Sequence, residues 1–283
     1  MTIYQCPRHG DYERIAVNVG DPQLMQRLPG NVWCSECKAD AAAAEKQAQA
    51  AYDGAMYRWQ RWEDADLPYR YRNRTLDNWT AEPAHAATKR ALQAWAGHVR
   101  DRYDDGEGLL LMGPPGVGKT HLLAGLVTAV IGAGFKARYA SWPEVWARCR
   151  PPYDGNPEVL LRELGSVDFL ALDEIGVRAG TAKEQERLFE LIDSRYSRQL
   201  PTLVATNLTD GELNKVGERT ADRLREACVG VVLAGASKRT DAATARALRA
   251  APEPYEQPEV PTLVLTCSVN GEDQERQWRA RAA

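Results

Sequence analysis

Short apolar runs alternate with longer segments of helical character through the middle of the chain. The apolar runs cover residues 108–112, 136–140, 167–172, 201–206 and 229–233. Strands that alternate with helices are typical of parallel sheets with crossover connections. The pattern therefore predicts an α/β domain in which a five-stranded parallel sheet is flanked by helices.

One of the connecting helices has a defined start in the sequence. Thr181 and Glu184 form a capping box, which predicts a helix from this point to about Arg198. The apolar residues expected to form its buried stripe recur at helical spacing and are Leu188, Leu191, Ile192 and Tyr196.

The two ends of the chain differ from this central domain. The first 40 residues are rich in turn signals, and an Ala-rich helix is expected over 41–64, ending before Pro68. After Thr240 the chain has a proline-rich run and then a strand-like piece at 262–266. We expect three parts: a small N-terminal module over 1–66, the α/β domain over 67–240, and a C-terminal extension with a linker over 241–283.

Composition and charge narrow the class of protein. The chain has 283 residues and a formal net charge of -3, so a nucleic-acid partner would have to bind a local basic patch. Its longest apolar stretch, 121–135, is too short and too broken by glycine to cross a membrane. With no secretory signal evident, we expect a cytoplasmic protein without a membrane partner, in which the six cysteines are reduced.

The loop after the first apolar run has the strongest functional signal. Residues 113–120 fit G-x-x-x-x-G-K-[ST] at every fixed position, between a strand and a helical segment. Backbone N–H groups of such a loop bind phosphate oxygens. We expect an ATP or GTP site with Lys119 at the β- and γ-phosphates and Thr120 on Mg²⁺. The candidate nucleotide-binding residues are Gly113, Pro114, Pro115, Gly116, Val117, Gly118, Lys119, Thr120 and the following His121.

Polar residues at the ends of two later strands predict hydrolysis. Asp173 and Glu174 follow an apolar strand, and Asn207 follows the next one. We expect Asp173 to hold the Thr120-bound Mg²⁺ through the hydration shell of the ion, and Glu174 to polarise the attacking water. Asn207 could place that water, although a bare asparagine is equally typical of a turn.

Basic residues follow the fourth strand of the predicted sheet. Arg219 and Arg223 are four positions apart on a predicted helix, so they share a face. Without further context, a solvated basic face paired with Glu218 and Asp222 explains them. Arg239 follows the last predicted strand.

The order of these parts resembles AAA+ ATPases of the initiator and helicase-loader branch, in particular DnaC-type helicase loaders and IstB transposition ATPases. The resemblance covers about 67–240 and rests on LPYRYRNRTLDNW, GPPGVGKTH, LDEIG, LVATNL, GERTADRLRE and GASKR. It implies ATP as the nucleotide, Asn207 as a polar sensor and Arg223 as a finger acting on the neighbouring subunit, with Arg219 as the fallback. It also implies that Arg239 senses the γ-phosphate, and that a helical insertion over 142–165 touches single-stranded DNA.

The N-terminal cysteines form a pattern typical of a structural zinc site. Cys6 and His9 are separated by two residues, and so are Cys34 and Cys37. Two such pairs can close a tetrahedral Cys₃His site, and the bound metal would stabilise a segment too small to have much core. The alternative is three reduced cysteines and a surface histidine.

Interleaved aromatic and basic residues just before the α/β domain are also suited to nucleic acid. Tyr69, Arg70, Tyr71, Arg72 and Arg74 alternate in this way. In the resembled family this segment borders the adenine, so packing beneath the nucleotide is the stronger interpretation.

Together these features predict an ATP-dependent loader of a replicative hexameric helicase onto single-stranded DNA, with self-association through the ATPase interface. An IstB-like regulator of a transposase on duplex DNA is the nearest alternative. A monomeric P-loop kinase and an ATP-binding adaptor without appreciable turnover are alternatives of other classes.

Overall fold

The computed structural model describes residues 2–14, 34–81, 83–150, 155–176, 180–235, 251–269 and 272–281. The strands are β1 (Thr2–Cys6), β2 (Gly10–Arg14), β3 (Gly108–Met112), β4 (Ala137–Ser141), β5 (Phe169–Ile175), β6 (Thr202–Thr206), β7 (Cys228–Val232), β8 (Thr262–Val269) and β9 (Glu272–Arg279). The α-helices are α1 (Ser35–Asp64), α2 (Ala86–Gly97), α3 (Val99–Asp104), α4 (Lys119–Gly132), α5 (Trp142–Arg148), α6 (Pro157–Ser166), α7 (Ala182–Tyr196) and α8 (Glu218–Ala227).

The chain forms two compact units. One unit comprises Met1–Tyr57 with Gln257–Ala283, and the other comprises Arg58–Glu256. In the first unit, β1 pairs with β2 and β8 pairs with β9, both antiparallel. Gln49 of α1 exchanges hydrogen bonds with the backbone of Arg281, at 2.9 and 3.2 Å, which joins the C-terminal hairpin to this helix.

The second unit has the predicted parallel sheet. Its strands are ordered β4-β5-β6-β3-β7, and every neighbouring pair is parallel. The predicted strands are confirmed: β3 has the predicted ends, and the other four strands have shifted ends. The largest shift is in β5, which begins at Phe169 and continues to Ile175, so Asp173 and Glu174 lie within the strand.

Successive side chains of β3 point to opposite faces of the sheet, and helices cover both faces. Leu109 and Leu111 of β3 pack in one apolar cluster with α2 and α4. Leu110 and Met112 pack on the opposite face with the helices α5 to α8. This period of two, on a strand buried from end to end, explains the continuous apolar runs in the sequence.

The start of α7 is close to the predicted one. The backbone N–H of Glu184 donates to Thr181 Oγ1 at 3.2 Å, as expected for an N-cap. The carboxylate of Glu184, which a complete capping box would direct to the Thr181 backbone, accepts instead a hydrogen bond from Trp142 Nε1 at 3.0 Å. The prediction for Tyr196 was wrong, because this ring is half-exposed beneath the guanidinium of Arg223.

The buried Arg195 side chain links the N-terminal ends of β5 and β6 by hydrogen bonds. Its side chain is 0% exposed, and burial lowers its pKa to about 9. The guanidinium donates hydrogen bonds to Thr202 Oγ1 and to the carbonyl oxygens of Leu164, Val167, Asp168 and Pro201. These bonds join the starts of β5 and β6, whose opposite ends lie next to Asp173 and Asn207.

Candidate nucleotide site and zinc centre

The loop between β3 and α4 has a backbone that requires glycine. Gly118, immediately before the first residue of α4, has φ +104°, a conformation that side-chain-bearing residues rarely adopt. A Cβ atom there would also lie 2.5 Å from Nε1 of the buried Trp79. The loop is therefore held against the indole of Trp79, and its backbone amides precede a helix N-terminus, the arrangement that binds phosphates.

Lys119 is the first residue of α4 and is 7% exposed. Its ammonium group donates to the carbonyl oxygens of Gly113 and Pro114 at 2.6 and 2.9 Å, and to Asn207 Oδ1 at 2.8 Å. Two residues that sequence reasoning assigned to one site, 88 positions apart, are thus in direct contact.

Asp173 is 3% exposed and receives donors on both carboxylate oxygens. Oδ2 accepts from Thr120 Oγ1 at 2.7 Å and from Tyr139 OH at 3.0 Å, and Oδ1 accepts from the backbone N–H of Glu174 at 2.9 Å. Burial, followed by the neighbouring Asp173 carboxylate, raises the pKa of Tyr139, so this phenol remains a donor. Tyr139 could not be identified from the sequence, because its contact with Asp173 depends on the pairing of β4 with β5.

Glu174 differs from Asp173 in exposure and in backbone. It is exposed and has φ 62°, an uncommon conformation for a residue with a side chain. Such conformations cluster at functional sites. The adjacent carboxylates therefore differ, one buried and tied down by donors, the other open to the cleft.

A cleft of about 510 Å³ lies above these residues. The cleft is lined by the phosphate loop, by the ends of β5 and β6, and by the segment that precedes α2. The residues that this segment contributes are Arg70, Tyr71, Arg74, Trp79 and Thr80. Sequence reasoning assigned the segment to the nucleotide border without naming Trp79 as a site residue. His121 also lines the cleft, and its Nε2 lies 3.0 Å from Thr75 O and 2.9 Å from Asn78 Oδ1.

The candidate arginines lie on α8 and contact α7. Arg223 donates from Nε to Asp193 Oδ1 at 3.1 Å, and its guanidinium carbon lies 4.4 Å from the Tyr196 ring centroid. Arg219 lies 3.8 Å over the ring of Phe189. The described residues that line the cleft include neither arginine. Arg239 lies outside the described residues.

The residues of the two predicted nucleic-acid segments, the insertion over 142–165 and the aromatic and basic segment before α2, differ in accessibility. Trp142 is 2% exposed, because it packs in the core beneath α5. Within the insertion, Arg148 and Arg150 are exposed and Trp146 is half-buried. In the segment before α2, Tyr69 is 85% exposed.

The four predicted zinc ligands come together in the N-terminal unit. The Sγ and ring-nitrogen atoms of Cys6, His9, Cys34 and Cys37 all lie within 4.8 Å of one another. His9 Nδ1 lies 3.6, 3.3 and 3.4 Å from the sulfurs of Cys6, Cys34 and Cys37. Since Zn–S bonds of about 2.3 Å place tetrahedral sulfurs about 3.8 Å apart, the 3.7 Å between the Cys6 and Cys37 sulfurs fits zinc.

The surroundings of this cluster favour metal-binding thiolates. Burial opposes ionisation of Cys6, but hydrogen bonds from the backbone of Arg8 and His9 outweigh it, and its pKa falls to about 6. The backbone N–H of Cys37 donates to the Cys34 sulfur at 3.2 Å. On the other side of the imidazole, Asp40 Oδ2 lies 3.6 Å from His9 Nε2, a position from which carboxylates orient histidine ligands.

Comparison with models of protein families shows which family the chain belongs to. The sequence model described as "IstB-like ATP binding protein" matches residues 59–243. The chain belongs to this family. The IstB-like match includes the whole parallel sheet and the cleft, and the zinc ligands lie outside it.

The IstB-like chain also resembles two proteins named replicative helicase loader DnaC. The one from Buchnera aphidicola subsp. Acyrthosiphon pisum is 27% identical over 160 residues, which are 55% of this chain and 64% of that protein. The one from Escherichia coli K12 is 31% identical over 120 residues, 41% of this chain and 49% of that protein. The match thus spans less than two thirds of either relative.

Solved structures bear out the AAA+ fold. The crystal structure of the DnaC helicase loader aligns with TM-score 0.53 and 21% identity, over 58% of this chain and 98% of that one. The crystal structure of DnaI aligns with TM-score 0.52 and 20% identity, over 62% of this chain and 95% of that one. Among the described residues, no helix is both long and apolar enough to span a membrane.

Proposed function

We propose that this chain is an ATPase that loads a hexameric replicative helicase onto single-stranded DNA. The observation that carries the ATPase part is the meeting of Lys119, Asp173, Glu174 and Asn207 at one cleft. The loader part is supported by the similarity to proteins named replicative helicase loader.

In this proposal the loop 113–118 and Lys119 bind the phosphates of ATP. Thr120 Oγ1 and the Asp173 carboxylate are hard oxygen donors 2.7 Å apart, and this donor set fits Mg²⁺. The ion would neutralise negative charge that develops on the phosphates during hydrolysis. The segment that contains Trp79 also lines the cleft and would border the base.

The remaining polar residues have separate roles in hydrolysis. Glu174 orients the attacking water and accepts its proton, since its exposed carboxylate is free of the donors that hold Asp173. Asn207 fixes the position of that water. Arg223 reaches the γ-phosphate held by a neighbouring subunit, with Arg219 as the second candidate, whereas Arg239 senses the γ-phosphate bound by its own subunit.

We propose that residues 1–66 bind the helicase and residues 67–240 form the ATPase. The chemistry of the Cys₃His donor set fits zinc, which would stabilise the small N-terminal unit without entering the reaction. The hairpin of β8 and β9, within 241–283, groups with that unit, which supports its inclusion in the helicase-binding surface. Within the insertion, the exposed Arg148 and Arg150 and the half-buried Trp146 are the candidates for contact with single-stranded DNA.

A topological assay tests this function. A helicase ring cannot thread onto a closed single-stranded circle unless it opens, so stable retention on the circle reports loading. With ATP, the wild-type chain is expected to transfer the helicase to the circle, and Lys119→Ala to abolish transfer. Glu174→Gln is expected to deliver the ring but to remain bound. Lys183→Ala, an exposed lysine at the start of α7, serves as the matched control.

The family match itself favours one second candidate, an IstB-like regulator that assembles on duplex DNA for a transposase. If the topological assay finds no helicase on the circle, and the chain instead binds duplex DNA in an ATP-dependent manner, the transposase-regulator function is favoured over the loader function.

A further inference from the structure

Tyr139 is a buried residue of the site to which the function above gives no role. It lies on β4, and the parallel register pairs Tyr139 with Ala171 and Ser141 with Asp173. Side chains alternate along a strand, so Tyr139 and Asp173 lie on the same face of the sheet. The Tyr139 side chain is long enough to span this offset, and its hydroxyl donates to Asp173 Oδ2 at 3.0 Å.

Tyr139 is fixed independently of the phosphate loop. Its backbone N–H donates to Ala65 O at 2.7 Å, and its ring is 8% exposed within the apolar cluster that also contains Phe169. The other donor to Asp173 Oδ2, the Thr120 hydroxyl, lies at the start of α4 next to Lys119. Thr120 is also the proposed ligand of Mg²⁺, so its hydroxyl has two competing partners.

We propose that Tyr139 is a positioning residue for Asp173, whose hydroxyl keeps the carboxylate aimed at the metal position when Thr120 turns from Asp173 to Mg²⁺. The inference rests on the proposed ATPase site. Tyr139 acts through Asp173, as outer-shell donors orient the ligands of metal sites, and removal of such donors typically weakens metal affinity by 10- to 100-fold.

Tyr139→Phe removes one oxygen atom and keeps the ring. Tyr103→Phe is the matched control, since Tyr103 packs its ring against Phe135 and Phe169 in the same cluster and does not line the cleft. The affinity for a fluorescent ATP analogue is measured first in excess EDTA and then against increasing Mg²⁺. Tyr139→Phe should leave the affinity in EDTA within about twofold of wild type and raise the half-saturating Mg²⁺ concentration by about tenfold.

A double-mutant cycle separates positioning from a general structural effect. Combined with Asp173→Asn, Tyr139→Phe should cause no further change in the Mg²⁺ response, because the carboxylate that it orients is already lost. The proposal would be overturned if Tyr139→Phe left the Mg²⁺ response unchanged, or if it weakened binding of the ATP analogue as much in EDTA as in Mg²⁺. It would also be overturned if the effects of the two substitutions on the Mg²⁺ response were additive in the double variant. This readout needs neither helicase nor hydrolysis, so failure of the loader function would leave it interpretable.

Discussion

Lys119 and Asn207 are joined by a hydrogen bond of 2.8 Å between Nζ and Oδ1, which links the phosphate loop to the end of β6. The bond is possible because β3 and β6 are neighbours in the sheet, with Met112 paired to Thr206. Asn207, for which the sequence left both a water-positioning role and a turn role open, therefore lies beside the lysine proposed to bind the γ-phosphate.

Replacing Asn207 by Ala should separate binding from hydrolysis. Lys119 keeps its carbonyl partners at Gly113 and Pro114, so the affinity for ATP should stay within about threefold of wild type. Loss of the group that positions the water should lower kcat by about 10²-fold, the cost typical of one preorganised polar group. Titration and single-turnover hydrolysis measure the two effects. Lost affinity with unchanged kcat would assign Asn207 to binding instead.

Gly118 and Gly134 form a matched pair for testing the loop. Both have positive φ, +104° and +90°, but a Cβ at Gly134 would meet nothing within 4 Å, whereas one at Gly118 would meet Trp79. Alanine at Gly134 should lower the free energy of unfolding by about 1–2 kcal/mol, and alanine at Gly118 should lower it further because its Cβ would clash with Trp79. Gly118→Ala alone should also weaken ATP binding by at least about tenfold, because the loop must move away from the indole. Urea denaturation and nucleotide titration give both values, and equal ATP affinities in the two variants would contradict this view of the loop.

Mixing inactive subunits tests whether Arg223 acts in trans. Arg223→Ala should lower kcat by about 10³-fold or more, as loss of an arginine finger does, and Glu174→Gln should also be inactive. In a mixture, a subunit that retains Glu174 can receive Arg223 from its neighbour, so ATPase activity should return. A monomeric kinase-like enzyme would show no recovery. Recovery with Arg219→Ala but not with Arg223→Ala would move the finger to Arg219.

The zinc centre predicts a specific metal content. Cys34→Ser should lose the one zinc ion per chain and unfold the N-terminal unit, because metal binding and folding of so small a unit are coupled. Asp40→Asn should retain zinc but bind it about tenfold more weakly. Native mass spectrometry and competition with a chelator measure these effects. Cys149→Ser, which alters a buried thiol outside the cluster, should keep its zinc, and loss of zinc in this control would argue against the assigned ligands.

Features encoded within one stretch of chain were predictable. The phosphate loop, the N-cap at Thr181 and the paired zinc ligands depend on spacing between near neighbours. Contacts across the fold were not, because strand order and register cannot be derived from local pattern. Tyr139 reaches Asp173 only because β4 pairs with β5. Trp142 belongs to the insertion that the resemblance assigns to single-stranded DNA, but its ring packs into the core. Its indole N–H donates a hydrogen bond to Glu184 there.

Native mass spectrometry of the chain with its replicative helicase and single-stranded DNA tests the central claim most directly. With ATP, the wild type and Lys183→Ala should form a stoichiometric complex with the helicase ring, and Lys119→Ala should not. Conversion of ATP to ADP should release the chain from the helicase. A helicase complex that forms equally in all three proteins regardless of nucleotide, or that forms in none, would contradict an ATP-controlled helicase loader.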